Sequence, residues 1–202
     1  MGATWDRFVP GVALWREVFR VLRPGAYIAV FAGTRMMDWM SLGLRFAGFK
    51  IVDTLMWLYG EGWPKGGDVG KRIDQLLGEI RTPDSPPVTA EAQAWTDCST
   101  SLKPAWEPIL LAQKPWVKNA AQNCIEWGTG ALQTGACRIP TTDTWKAYDP
   151  KPGTYEGVYS HSGNWQARPS NPRGRWPANV IWSHHPECAE CCVGGCPVRD
   201  LD

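Results

Sequence analysis

Leu102-Lys103-Pro104-Ala105-Trp106-Glu107-Pro108-Ile109-Leu110-Leu111-Ala112-Gln113-Lys114-Pro115 lies near the middle of the 202-residue chain. Its apolar run, Ile109 to Ala112, is short for a helix and is bracketed by Pro108 and Pro115, which suits a strand entered and left sharply. Lys103, Trp106, Glu107 and Lys114 flank that run. A plain structural strand has little need of two lysines, a tryptophan and a carboxylate at its borders, although composition alone leaves that reading open.

Working outward towards the N-terminus, Trp15, Val18, Phe19 and Leu22 recur at i, i+3, i+4 and i+7 and predict an amphipathic helix over 12–22, stopped by Arg23-Pro24-Gly25. Ala26 to Phe31 is continuously apolar, as a strand covered on both faces would be. Met37, Met40, Leu44 and Ala47 form a second helical stripe with Gly48 as its C-terminal cap, and Phe49 to Tyr59 reads as another strand. Helix, strand, helix, strand is the rhythm of an α/β layer fold with parallel pairing. The strand from Ile109 should lie antiparallel to 49–59, because a long excursion rather than a crossover helix joins them.

That excursion opens with the glycine-rich loop Gly60-Glu61-Gly62-Trp63-Pro64-Lys65-Gly66-Gly67. A short helix follows, N-capped by Asp68, with Val69, Ile73, Leu76, Leu77 and Ile80 on one side. Residues 81–101 read as a linker, proline-rich from Thr82 to Val88. After Pro115 there is little periodicity, and 116–202 reads as a loop-rich region with a cysteine-rich tail, since its aromatics argue against disorder.

Composition narrows the function classes. Lysine plus arginine number 21 against 20 acids, so no global field draws the chain to nucleic acid and any such contact must be local. Thirteen tryptophans and seventeen prolines exceed ordinary usage, and tryptophan serves either irregular packing or base-stacking platforms. No signal-like start or membrane-length apolar run is present. The expectation is an intracellular, reduced protein in which clustered cysteines bind metal sooner than they form disulfides.

The tail carries the spacing with direct chemical content. His185-Pro186-Glu187-Cys188 gives H-x2-C and Cys192-Val193-Gly194-Gly195-Cys196 gives C-x3-C. Zinc takes four thiolate or imidazole ligands, so His185, Cys188, Cys192 and Cys196 are the candidate set, with His184 and Cys191 as spares. Free thiols in a frayed terminus are the alternative. Elsewhere, no G-x-G-x-x-G fingerprint or phosphate-cradling loop occurs, Gly128-Thr129-Gly130 reads as a plain turn, and no histidine lies in a nucleophile context. Trp57, Tyr59, Trp63 and Lys65 fit either core packing or a base-stacking pocket with a phosphate contact. Asn171 to Ile181 fits either a turn before a strand or a nucleic-acid contact loop.

Taken in order, these segments resemble the site-specific DNA methyltransferases that act on adenine N6 or cytosine N4, in the permuted branch where the catalytic motif precedes the cofactor motif. The resemblance rests on Trp15-Arg16-Glu17 through Arg20-Val21-Leu22-Arg23-Pro24-Gly25, on Phe31-Ala32-Gly33-Thr34-Arg35, and on Ala47-Gly48-Phe49 with Trp57-Leu58-Tyr59-Gly60. It continues through Trp63-Pro64-Lys65, Leu102 to Pro108, Gly128-Thr129-Gly130-Ala131-Leu132 and Gly174-Arg175-Trp176-Pro177-Ala178-Asn179. Phage and prophage enzymes look most similar.

The resemblance implies an α/β, Rossmann-like S-adenosylmethionine-dependent sheet, partial here over 1–115, with a target-recognition region over 116–202. It implies duplex DNA as partner, S-adenosylmethionine as methyl donor, and a cytoplasmic place in a bacterium or in the host cell of a phage. By position it assigns a share of the target-base pocket to Trp57 and Tyr59, and DNA contacts to Arg35, Lys65, Lys103 and Arg175. The family's Asp-Pro-Pro-Tyr-type loop and Phe-x-Gly-x-Gly-type strand do not occur in this sequence; Asp84-Ser85-Pro86-Pro87-Val88 comes nearest to the first but ends in valine. The expectation is therefore a central fragment with no catalytic residue of its own, inactive alone. A non-catalytic DNA-recognition module and a zinc-dependent interaction domain are the rival expectations.

Overall fold

The computed structural model describes residues 8–59, 64–80, 82, 85–140, 173–184, 187–189, 192–194, 196 and 198. Two compact units partition the chain, one comprising 1–130 with 179–202 and the other 131–178.

The first unit is α/β. Helix α1 (Val12–Val21) leads to strand β1 (Tyr27–Phe31), helix α2 (Met37–Phe46) to strand β2 (Lys50–Leu58), and short helices α3 (Val69–Leu76) and α4 (Ala90–Gln93) precede strand β3 (Trp106–Gln113). Helix α5 (Ala120–Trp127) and strand β4 (Val180–Trp182) complete it. The sheet order is β1-β3-β2-β4. Strand β3 pairs antiparallel with both β1 and β2, and β4 adds to β2 in parallel. Strands β1, β2 and β4 thus share one direction, and β3 alone opposes them.

The run from Ile109 is a buried strand antiparallel to β2 as expected, but Pro108 does not open it: β3 starts at Trp106, and Pro108 lies inside it opposite Met56. The parallel pairing expected of the first two strands is corrected, since β1 and β2 point the same way but β3 lies between them. The strand with the most buried side chains takes the position where both of its edges are hydrogen-bonded. Strand β1 is consequently an edge strand and is not covered on both faces: Ala29 is exposed and Phe31 is 54% exposed.

Directly opposed residues of an antiparallel pair share a face. Val30, Leu110 and Thr54 form one such row, and Ile28, Ala112 and Ile51 another. The core lies on this face, where Trp15 of α1 and Met40 and Leu44 of α2 meet Ala47, Phe49, Leu110 and Ala112. In α1 and α2 the stripes read at 3–4 spacing are the ones that pack into this core. Lys114, one of the unexplained flanks, places its Nζ 2.8 Å from the carbonyls of both Phe19 and Leu22 and 4.6 Å from the Phe19 ring centroid. It satisfies the last carbonyls of α1, where a helix favours a cation.

Helix α3 corrects a second expectation. Asp68 is its N-cap, accepting from Lys71 N, but Leu76, Leu77 and Ile80 are exposed, and the buried residues are Gly70 and Asp74. Gly70 lies against the Ala92 carbonyl of α4, and the Asp74 carboxylate accepts from Val88 N, Thr89 N and Thr89 Oγ1. A polar clip, rather than an apolar stripe, joins these helices.

Candidate functional site

The carboxyl ends of β1 and β2 and the start of β3 lie at one end of the sheet. In open α/β sheets this is the end at which ligands bind. Trp57 and Tyr59, at the end of β2, stand beside Phe31 at the end of β1. The Phe31 and Trp57 centroids are 6.0 Å apart and the Trp57 and Tyr59 centroids 6.3 Å apart, both edge-to-face. Trp57 is further held by its indole N–H, which donates to Ser183 Oγ at 2.6 Å. Trp57 is therefore a fixed pillar and Tyr59 the terminal aromatic of the row. Trp63 lies outside the described residues.

Three of the four expected DNA contacts converge on this end. Gly67 N donates to Thr100 Oγ1 at 3.0 Å, Thr100 N donates to Gly67 O at 3.2 Å, and Asp68 bridges Ser99. Gly66 packs so closely on this segment that a Cβ there would collide with Ser99 Oγ and the Ser101 backbone. The loop bearing Lys65 is thus zipped to the segment that runs into Lys103. Arg35 reaches the same segment, donating from Nη2 to Ser101 Oγ at 2.9 Å. All three cations are exposed. Arg175 belongs to the 131–178 unit, where its backbone bonds Ile139 in both directions; there Arg138 stacks on Trp176 at 5.0 Å and donates to Gly174 O at 2.7 Å.

A cleft of about 400 Å³ is lined by Met37, Ile51, Asp53, Thr54, Met56, Trp106, Asn179 and Val180. Asn179 at its rim docks β4 onto β2. Its Nδ2 donates to Thr54 O at 3.1 Å and Asp53 Oδ1 at 3.2 Å, while its carbonyl accepts from Met56 N at 2.8 Å. At the other end of β4, Ser183 N donates to Leu58 O at 3.1 Å.

Directly after Ser183 comes a cluster of ligand-type side chains. The donor atoms of His184, Cys188, Cys192 and Cys196 all lie within 4.8 Å of one another. His184 Nδ1 is 3.3 Å from Cys192 Sγ and 3.8 Å from Cys196 Sγ, and Cys196 is fully buried. Desolvation first, then the neighbouring Cys196 and Cys188 thiols, push the Cys192 thiol up to about 11. The three expected cysteines come together, and the histidine beside them is His184, the spare of the expected set, while His185 lies outside the described residues. The sequence did hold a signal for His184, since 184, 188, 192 and 196 are evenly spaced by four.

Comparison with known proteins gives limited similarity. No protein-family model matches the chain. It is similar to the type II methyltransferase M.HindIII of Haemophilus influenzae, with 29% identity over 118 residues, which is 57% of this chain and 35% of the relative. The match thus spans about a third of that relative's length. A crystal structure of the M1.HpyAVI–SAM complex aligns with a TM-score of 0.32 and 13% identity, covering 55% of this chain and 39% of that one. Among the described residues no helix is long and apolar enough to cross a membrane.

Proposed function

We propose that the chain is a segment of a site-specific DNA methyltransferase acting on an exocyclic amino group, adenine N6 or cytosine N4. Its part is a portion of the sheet together with a DNA-facing edge. The observation that carries this reading is the meeting of an aromatic row and three exposed cations at the carboxyl ends of parallel strands. The similarity to M.HindIII supports it.

Chemistry on a base amine requires the base to leave the helical stack, at a cost of a few kcal/mol. Tyr59, ending the row that Trp57 and Phe31 brace, offers a ring to the extruded base. Lys65, Lys103 and Arg35 hold the phosphates that position the duplex, and such contacts fix register without reading sequence. Residues 116–202, with Arg175 among them, supply target recognition. S-adenosylmethionine supplies the methyl group. Because these 202 residues contain neither the loop that grips the target amine nor the glycine-rich cofactor strand, methyl transfer needs both from elsewhere. With duplex DNA as its partner, the protein works in the bacterial cytoplasm or in the host cell of a phage.

Incubating the chain with labelled S-adenosylmethionine and mixed duplex DNA should give no incorporation, while fluorescence anisotropy should show binding to the duplex that weakens steeply with salt. Clear incorporation by the chain alone refutes the division of labour. Absence of salt-dependent binding refutes the DNA-facing edge.

A further inference from the structure

We propose that His184, Cys188, Cys192 and Cys196 form a structural zinc site that fastens the edge strand β4 to the sheet and, through Ser183, holds the indole of Trp57. The donor set is three thiols and an imidazole, and soft thiolate with imidazole selects zinc over the oxygen-seeking cations. With metal–sulfur bonds of about 2.3 Å and metal–nitrogen bonds of about 2.0 Å, a tetrahedral centre sets sulfur and nitrogen about 3.5 Å apart. The observed separations of 3.3 and 3.8 Å bracket that value. Four protein ligands close the coordination sphere and leave no open position for a reacting group, which makes the site structural rather than catalytic.

The place of the cluster in the fold explains its use. Strand β4 is three residues long and pairs with β2 only over Met56–Leu58, too little to stand alone on a sheet edge. Asn179 holds its start through two side-chain bonds and one backbone bond. Its finish is held by Ser183, whose N–H bonds Leu58 O and whose hydroxyl receives the Trp57 indole N–H. His184 is the next residue. A metal bound there anchors the strand end, and it ties Ser183 in place at the sequence step where Trp57 depends on it.

The test uses the full chain purified with zinc present and then dialysed. One zinc per chain by mass spectrometry is expected, falling to near zero in Cys192→Ser, Cys196→Ser and His184→Asn and unchanged in His185→Asn. Less than a fifth of an equivalent in the zinc-replete wild type overturns the proposal, as does iron in its place. Loss in His185→Asn with retention in His184→Asn overturns the ligand assignment. Should the variants fail to fold, cobalt titrated into chelated wild type decides. Thiolate-to-cobalt charge-transfer bands with tetrahedral ligand-field absorption support the site, and their absence overturns it. Hydrogen exchange at the Ser183 amide should accelerate at least tenfold on chelation; an unchanged rate refutes the fastening of β4 even if zinc binds.

Discussion

Replacing Lys65 and Lys103 together by alanine tests the proposed DNA-facing edge. Both lysines are exposed, and the Gly66–Gly67 backbone is zipped to 99–101 independently of either side chain. Their removal should therefore leave the fold within about 0.5 kcal/mol of the parent, as exposed substitutions generally do. If each lysine neutralises one phosphate, each contributes about 0.9 to the slope of log affinity against log salt, so the double variant loses about 1.8 of slope. Raising salt fourfold then costs the parent about twelvefold more affinity than it costs the variant. Arg35 is left intact because it also bonds Ser101, and its loss would confound binding with loosening of that segment. Fluorescence anisotropy on a labelled duplex, titrated at several salt concentrations, measures both lines. Parallel lines would refute the reasoning, whatever the change in absolute affinity, because a perturbation that does not release counterions shifts the intercept alone.

Two further outcomes test the scaffold. Leu110→Ala removes a side chain that is 2% exposed in the central strand, between Val30 and Thr54, and should lower stability by about 2–5 kcal/mol in urea unfolding; a loss below about 1 kcal/mol would place the core elsewhere. Asn123→Ala removes an amide whose Nδ2 donates to Pro24 O at 2.9 Å and Thr129 O at 2.8 Å, and should cost about 1–3 kcal/mol through the groups left unpaired. An unchanged melting curve for that variant would show that α5 is not clasped to the turn at Gly25.

Those two residues also mark what the sequence made legible. Leu110 belongs to a proline-bracketed apolar run, and Met40, Leu44 and Ala47 recur at helical spacing; burial follows from a period that one segment carries alone. Asn123 has no such signature. Helix α5 buries a polar residue and exposes Ile125, so no apolar stripe announces it, although Asn119, whose side chain accepts from Gln122 N, and left-handed Gly128 are readable caps. Helix α3 misled for the same reason. Its partner is the Thr89 turn, which Asp74 grips through polar atoms, and hydrophobic spacing says nothing about such a partner. Lys114 was conspicuous in the sequence without explanation, because the carbonyls it caps lie over ninety residues away. In the tail, histidine and cysteine chemistry was legible, but the choice between adjacent histidines depends on where β4 ends.

The convergence of Lys65 and Lys103 has a topological cause that outlasts any single contact. Antiparallel neighbours place the end of one strand beside the start of the next, so a chain leaving β2 at Leu58 and entering β3 at Trp106 departs and returns at the same end of the sheet. Everything between is tethered there at both ends, and Tyr59 N donating to Ala105 O at 3.0 Å closes the mouth of the excursion. A right-handed crossover to a parallel strand would instead have carried the chain back to the opposite end. Inserting β3 between β1 and β2 therefore brings the chain at Lys65 and at Lys103 back to the end of the sheet where Phe31, Trp57 and Tyr59 lie. The antiparallel strand is what returns a long, proline-rich excursion to the end of the sheet from which it departed.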